Sequence, residues 1–305
     1  MRMQPQSLEF SQTAPACAVV IVNYNAGPLL INAARSAQQA GASEIVIVDN
    51  ASTDGSVEAL LAADIGPALA VIRNGANLGF AAGCNIGAKA STAPLVLFLN
   101  PDCSLEPMAL HKLATALMAD EHIGMVGPLL LNPDSSEQRG GRRRIPTPLS
   151  GFIHGFGLSR MAPGLFDDFN QTGDPLPNGP VPVEAISGSC MMVRRTAALA
   201  VGPWDEGYFL HGEDLDYCLR FSRAGFAIMF VPDAIATHVR GASSSGRPLF
   251  VEWHKHQSMI RFYGKFFAAS QPLPMRWLVK SGIALRLAFK LAAISAGQLL
   301  GQRRP

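Results

Sequence analysis

"EIVIVDNASTDGSVEALLAA", residues 44–63, joins an apolar run to a helix-compatible run through a polar junction. Ile45 to Val48 are unbroken apolar and β-branched, as a strand buried on both faces requires, and Asp49 and Asn50 end that burial. Ser52, Thr53 and Asp54 stand where helix caps sit, and Glu58 to Ala63 continue as helix. The same grammar repeats outward on both sides. "ACAVVIVNYN" (16–25) is an apolar run closing on Asn23 and Asn25, followed by a helix-compatible segment from Pro28 to Ala40. "ALAVIRN" (68–74) is a third strand candidate and "LVLFLN" (95–100) a fourth, which runs straight into Pro101 and Asp102. Apolar strands alternating with helical segments predict an α/β fold: a Rossmann-like, mainly parallel mixed sheet flanked by helices. Ligands of such sheets bind beyond the carboxyl ends of the strands. Asn23, Asp49, Asn100 and Asp102 therefore gather on one rim.

Past residue 105 the pattern changes. Met108 to Met118 reads as helix and "IGMVGPLLL" (123–131) as strand, followed by an irregular Gly- and Pro-rich stretch over about 132–182. It contains "RGGRRRIP" (139–146), either a solvated loop or a loop closing over phosphate groups. "VEAISGSCMMVRR" (183–195) returns to strand character, and "HGEDLDYCLRFSRAG" (211–225) reads as a helix ending at Gly225.

Composition narrows the classes. With 305 residues, 48% of them apolar, the chain can build a sizeable core, which excludes disorder. From Trp253 to Pro305 there are nine Lys/Arg and no acid, so 16 cations face 23 acids in the rest: an acidic body with a basic tail. That distribution disfavours nucleic-acid binding. The cysteines at 17, 84, 103, 190 and 218 form no C-x-x-C pair, and their odd number fits a reducing compartment better than a disulfide framework. Residues 1–15 lack the apolar core of a secretory signal, so a cytoplasmic location is expected. Trp277 to Leu300 is interrupted by Lys280, Arg286 and Lys290, which disfavours a spanning helix. Those cations and Arg276 fall within an arc of about 120°, shared with Ile283, Leu287 and Ile294. Packing on the body and peripheral docking on a membrane surface are the two readings of this extension. The expected division is a polar tail at 1–15, a domain at 16–250 with halves 16–105 and 106–250, and a basic helical extension at 251–305.

Three places carry chemistry. Asp102 follows a proline just past a buried strand, so it is either a turn former or an oxygen ligand for Mg²⁺ or Mn²⁺. Glu213, Asp214 and Asp216 crowd one helix start, where acids suit the dipole; in their aromatic surroundings, partial burial would also make Asp214 or Glu213 a general base. His238 follows another apolar run, and Gly241 and Ser243 after it would let backbone approach an anion. No G-x-G-x-x-G follows an early strand, which argues against a dinucleotide oxidoreductase. "VNYNAGPLL" lacks the lysine of a nucleotidyltransferase signature.

"VVIVNYN", "IVIVDNASTDGS", "NLGFAAGCNIG", "FLNPDC", "SGSCMMVRR" and "GYFLHGEDLDYCLRFSRAGF", in that order, resemble the family 2 inverting glycosyltransferases of the GT-A fold. The resemblance covers roughly residues 17–245, and its Asn-Pro-Asp element is most similar to the bacterial rhamnosyltransferase branch. It implies a nucleotide-diphosphate-sugar donor, with rhamnose the branch's commonest sugar, and metal-assisted single displacement onto a lipid-linked or cell-surface glycan at the inner face of a plasma membrane. It implies donor contacts from Asn23, Asn25, Asp49, Asn50, Asn77, Gly79, Phe80, Asn85, Asn100 and Gly188. Asp102, with His238, would hold the divalent cation, and Asp214 would be the catalytic base with Glu213 beside it. Asn100 stands where relatives place the first acid of Asp-x-Asp, and its amide lends no charge to a metal. A non-catalytic nucleotide-sugar or glycan binder of the same fold is the alternative.

Overall fold

The computed structural model describes residues 16–66, 68–148, 150, 169–239, 241 and 246–301. The polar tail at 1–15, the middle of the irregular stretch and Ser243 lie outside the described residues. The early strands form as read: β1 (Cys17–Asn23), β2 (Glu44–Asp49), β3 (Leu69–Arg73) and β4 (Leu95–Leu99) are all parallel, with β1 between β2 and β4. Helices α1 (Leu29–Gln39), α2 (Ser56–Ala62) and α3 (Phe80–Lys89) connect them.

The second half extends the same sheet. It adds β5 (Cys103–Leu105), α4 (Ala109–Met118), β6 (Ile123–Leu131), and the short strands β7 (Arg142–Arg143), β8 (Val181–Pro182) and β9 (Ala185–Ile186). Then come β10 (Cys190–Arg194), α5 (Arg195–Val201), α6 (Glu213–Arg223) and β11 (Ala227–His238). The nine-stranded sheet runs β3-β2-β1-β4-β10-β6-β11-β5, with β8 beside β11, while β7 and β9 pair separately. β10 is antiparallel to both neighbours, so the sheet is mixed.

Strand alternation divides the core. Val19, Ile21, Leu95, Leu97 and Leu99 pack toward α1, α2 and α4, whereas Val20, Val22, Val96 and Phe98 pack toward α3, α5 and α6. Each such fully buried side chain contributes roughly 1.5–3 kcal/mol, so the strands form a stiff platform and their polar ends are fixed by it.

Two local readings are corrected. The strand expected over 183–195 breaks at Ser187 to Ser189, where Ser187 N–H donates to the Gly141 carbonyl and Gly188 lies against Asp214. A Cβ at Gly188 would come within 3.2 Å of the Asp214 Cβ. Ser52 and Thr53 do not cap α2; the N-cap position is Gly55 at φ +77°, and of the three only Asp54 serves the helix start, its Oδ1 accepting from Ser56 N–H at 3.0 Å. All three tie the β2 loop to the β1 loop: Asn25 N–H donates to Ser52 Oγ, Thr53 N–H to Asn25 Oδ1, and Gly27 N–H to Asp54 Oδ2 at 2.7 Å.

The C-terminal extension is a helical hairpin: α7 (Pro248–Phe266), a 3-10 turn at Ala268–Ser270, and α8 (Leu273–Gly301). Tyr263 Oη reaches Gln271 near the tip and Arg286 Nη1 reaches His256 Nε2 further back, so the two helices run antiparallel. α7 packs on the body, where Arg261 and Lys265 pair with Asp205 and Lys265 also meets the fully buried Asp216 at 2.6 Å. Asp216 is thereby a structural acid. No described helix is long and apolar enough to cross a membrane.

Candidate active site

The carboxyl ends of the strands open into a cleft of about 1490 Å³ that continues along the helical hairpin. Asp102 and Asp214, 112 positions apart in sequence, both line it, as do Glu213 and His238.

At one corner, Pro101 and Asp102 turn the chain from β4 into β5, and the pairing of β5 with β11 sets Cys103 opposite His238. Asp102 Oδ1 thereby lies 3.0 Å from His238 Nε2, and Asn100 Nδ2 faces the same nitrogen at 3.4 Å. Gln138 fixes the imidazole. Its amide nitrogen donates to Asn132 Oδ1 (2.9 Å) and to the His238 carbonyl (3.1 Å), which leaves its Oε1 to accept from His238 Nδ1 at 2.6 Å. The network therefore assigns a proton to Nδ1. Nε2 is left facing Asp102: a proton there makes an ion pair, and its loss leaves an imidazole nitrogen and a carboxylate as adjacent donors for one cation.

Among the described residues no three His, Cys, Asp or Glu side chains converge as a metal cage. Asp102 and His238 still fit a divalent ion bound in part by substrate phosphates and water, and the imidazole favours Mn²⁺ over Mg²⁺.

At the other corner, His211 (φ +67°) and Gly212 (φ +85°) are both left-handed and throw the first turn of α6 into the cleft. Asp214 Oδ2 accepts from Arg143 Nη2 (2.5 Å) and Gly188 N–H (3.2 Å), and Oδ1 from Leu215 N–H (2.8 Å). Burial pushes its pKa up, but the Arg143 charge and these hydrogen bonds outweigh burial and hold it below the usual carboxylate range. Glu213 moves the opposite way: burial, helped by the neighbouring Asp214 charge, pushes it up to about 8. The raised carboxyl expected of this helix start is thus Glu213, and Asp214 stays ionised. A carboxylate offers about four acceptor sites. Arg143, Gly188 and Leu215 take three on Asp214, leaving one on a side chain that lines the cleft.

Between the corners lies a collar of amides and glycines. Asn50 accepts from Asn74 Nδ2 (2.8 Å) and donates to the Gly79 carbonyl (3.1 Å), and Asn77 Oδ1 accepts from Gly79 N–H (3.0 Å). Gly79 sits at φ +86°, and a Cβ there would meet the Phe209 carbonyl oxygen at 2.8 Å. Asn50, Asn77, Gly79, Phe80, Asn100 and Gly188 all line the cleft.

Four expected donor contacts are not among its lining residues. Asn23 is fully buried and donates to Asp49 Oδ1 (2.9 Å), while Asp49 Oδ2 accepts from Ser52 N–H (3.2 Å). Both side chains brace the loop after β2. Asn25 is turned into the inter-loop ties by its φ of +51°. Val22 and Tyr24, alternating with Asn23 and Asn25, face the cleft instead. Asn85 clasps the backbone of Trp204, donating to its carbonyl (3.0 Å) and accepting from its N–H (2.9 Å). Trp204 stacks on Tyr217 of α6 with centroids 4.3 Å apart, so Asn85 supports α6 from behind.

The arginine run is neither simply solvated nor simply a phosphate loop. Arg142 is buried against Glu137 (2.8 Å), and Arg143 holds Asp214. Gln138, Tyr24 and His211 are cleft-lining residues that sequence reasoning missed. The arginine run flagged Arg143 without its partner, and only the structure pairs Gln138 with His238.

The model of the glycosyl transferase family 2 domain matches residues 18–200, and that of a glycosyltransferase-like family 2 matches 167–250. This chain belongs to glycosyl transferase family 2, on its rhamnosyltransferase-like branch, and is a glycosyltransferase. It is 30% identical over 281 residues to N-acetylglucosaminyl-diphospho-decaprenol L-rhamnosyltransferase of Mycobacterium tuberculosis, covering 88% of this chain and 90% of that one. Rhamnosyltransferase WbbL of Escherichia coli is 30% identical over 164 residues, 52% of this chain and 58% of its own length. Among solved structures, mannosyltransferase PcManGT from Pyrobaculum calidifontis, in complex with GDP-Man and Mn²⁺, superposes with a TM-score of 0.56 at 16% identity, over 96% of this chain and 82% of that one. GalNAc-T7 with UDP, GalNAc and Mn²⁺ gives a TM-score of 0.58 at 16% identity, over 89% of this chain and 55% of that one. These likenesses place the fold among the GT-A glycosyltransferases.

Proposed function

We propose that the enzyme moves a sugar, L-rhamnose in the first instance, from a nucleoside-diphosphate donor to a lipid-linked glycan by single displacement with inversion. The observation that carries this reading is the presence of Asp102 and Asp214 on one continuous cleft, one with an imidazole beside it and the other held ionised. The relative from Mycobacterium tuberculosis, named for rhamnosyl transfer to a diphospho-decaprenol, supports both the sugar and the acceptor class.

Asn50, Asn77 and Gly79 form the donor side, with Tyr24 offering a ring for a base. Asp102 and His238 would hold a divalent cation, which supplies positive charge against the leaving diphosphate. The acceptor hydroxyl oxygen bonds to the anomeric carbon as the carbon–phosphate-oxygen bond breaks and its electron pair stays on the diphosphate. The hydroxyl proton passes to the remaining acceptor site of Asp214. Arg143 keeps that carboxylate charged until the proton arrives. The basic extension, 253–305, would rest on the cytoplasmic face of a membrane, where the acceptor lies.

The test is a panel of nucleotide sugars scored by thermal stabilisation with and without Mn²⁺, followed by proton NMR of the product's anomeric configuration. Stabilisation by a deoxythymidine-diphosphate sugar and an inverted product are expected. A retained configuration would sink the single displacement.

A further inference from the structure

The cleft does not stop at the strand rim. Its lining continues along α7 through Val251, Met259 and Phe262, and along α8 through Met275, Val279 and Ile283. Each set recurs at three-, four- or eight-residue spacing, so each is one stripe of its helix. Facing apolar stripes of paired helices ordinarily interdigitate. Here they flank a space that opens into the catalytic cleft.

The two ends of this trough differ in chemistry. Arg247, Lys255 and Arg286 line it at the cleft end, where Arg286 Nη1 reaches His256 Nε2 at 2.8 Å. Toward the tip, from Met259 to Phe267, the α7 lining is apolar apart from the Tyr263 hydroxyl, which is spent on Gln271. Phe250 to Phe267 spans about 25 Å at 1.5 Å per residue. The shape fits an amphiphile with an anionic head at the catalytic end and a long apolar tail. Leu278, Leu285 and Phe289, 65%, 69% and 73% exposed, fall within an arc of about 40° along the open edge of α8. A chain could enter there from a bilayer without crossing polar surface.

We propose that the space between α7 and α8 is a second subsite, which takes the apolar chain of a lipid diphosphate while Arg247, Lys255 and Arg286 face its diphosphate. This rests on the glycosyl-transfer reading and assigns the part of the acceptor that reading leaves without a place. Gly282 lines the trough, and a Cβ built on it meets nothing within 4 Å. Gly282→Leu therefore fills the space while improving helix propensity.

The test titrates the full chain calorimetrically with farnesyl diphosphate, inorganic pyrophosphate and farnesol. Farnesyl diphosphate is expected to bind at least tenfold more tightly than either fragment. Gly282→Leu, and Val279→Asp as a second variant, should each lose at least tenfold for farnesyl diphosphate, with pyrophosphate binding unchanged and Ala284→Asp, on the exposed face, behaving as wild type. Equal binding of pyrophosphate and farnesyl diphosphate, or trough variants that bind as wild type, would overturn the subsite. So would loss of phosphatidylglycerol-vesicle binding in Gly282→Leu without any dependence on the farnesyl chain, which would make the stripe a membrane-docking surface. Donor binding is scored separately by nucleotide-sugar stabilisation. Its absence would defeat the transferase reading, whereas its presence beside chain-independent binding would defeat the trough alone.

Discussion

The Asp102 corner and the Asp214 corner of the cleft each present one carboxylate, yet they are built in opposite ways. Asp102 lies on a tight turn at a strand end, and its partner is an imidazole whose other nitrogen is held by Gln138. Asp214 lies on the first turn of a helix, and its partner is a guanidinium that cannot lose its charge. An imidazole can give up its proton and share a cation with the carboxylate, whereas arginine can only keep the carboxylate ionised. A carboxylate's task is set by its partner, and in the proposed reaction this difference matches the cation to the first corner and the acceptor proton to the second.

The largest effect that could break this contrast is expected from Asp214→Asn, which keeps the shape and removes the proposed base. Turnover should fall by ~10²- to 10⁴-fold with donor affinity retained, measured by single-turnover kinetics and donor titration. An unchanged rate would remove Asp214 from the chemistry. Asp102→Ala should cost on the order of 10²- to 10³-fold in kcat/KM, the scale of losing one electrostatic stabiliser of the leaving charge. Unlike Asp214→Asn, it should also abolish Mn²⁺-dependent donor binding. Gln138→Leu sharpens the comparison without touching either carboxylate: Mn²⁺ affinity in the presence of a nucleoside diphosphate should weaken by about 10- to 100-fold, read by electron paramagnetic resonance.

The pH dependence separates the adjacent acids. If Asp214 is the base, its lowered pKa leaves kcat/KM flat from neutral pH down through the usual carboxylate range. Activity rising toward pH 8 would instead point to Glu213. The smallest effect is on stability. The folded protein holds the Glu213 proton up to about pH 8, while the unfolded chain releases it near 4.5. Between those values the native state binds more protons, so stability falls as pH rises. Glu213→Gln should flatten that fall, matching wild type near pH 4 and melting higher than wild type above pH 8, by calorimetry.

Much of the N-terminal half of the fold was legible because its signals are local. Four strands, their helices and the polar rim follow from apolar runs and from the residues that end them. The failures were also local in form but tertiary in cause. Asn85 reads as one more polar residue in a glycine-rich helix, and nothing in its spacing reveals Trp204, 119 positions away. Asp54 carries a cap residue's chemistry but is spent partly on Gly27 of the neighbouring loop. "GEDLD" marks an acidic helix start, yet its three acids separate into a raised Glu213, an ionised Asp214 and a buried structural Asp216 only when Arg143 and Lys265 arrive. The stripe of α8 was imperfect because one face of that helix brings both Ile283 and Arg286 to the lining of the trough.

By itself the sequence determined the α/β alternation, the rim of strand ends and the candidate acids, since burial periodicity and strand termination act over a few residues. The tertiary structure alone decided which carboxylate meets which cationic or imidazole partner. Those pairs, Asp214 with Arg143 across 71 positions and Asp102 with His238 across 136, form where sheet order brings distant loops together, and no local spacing encodes them.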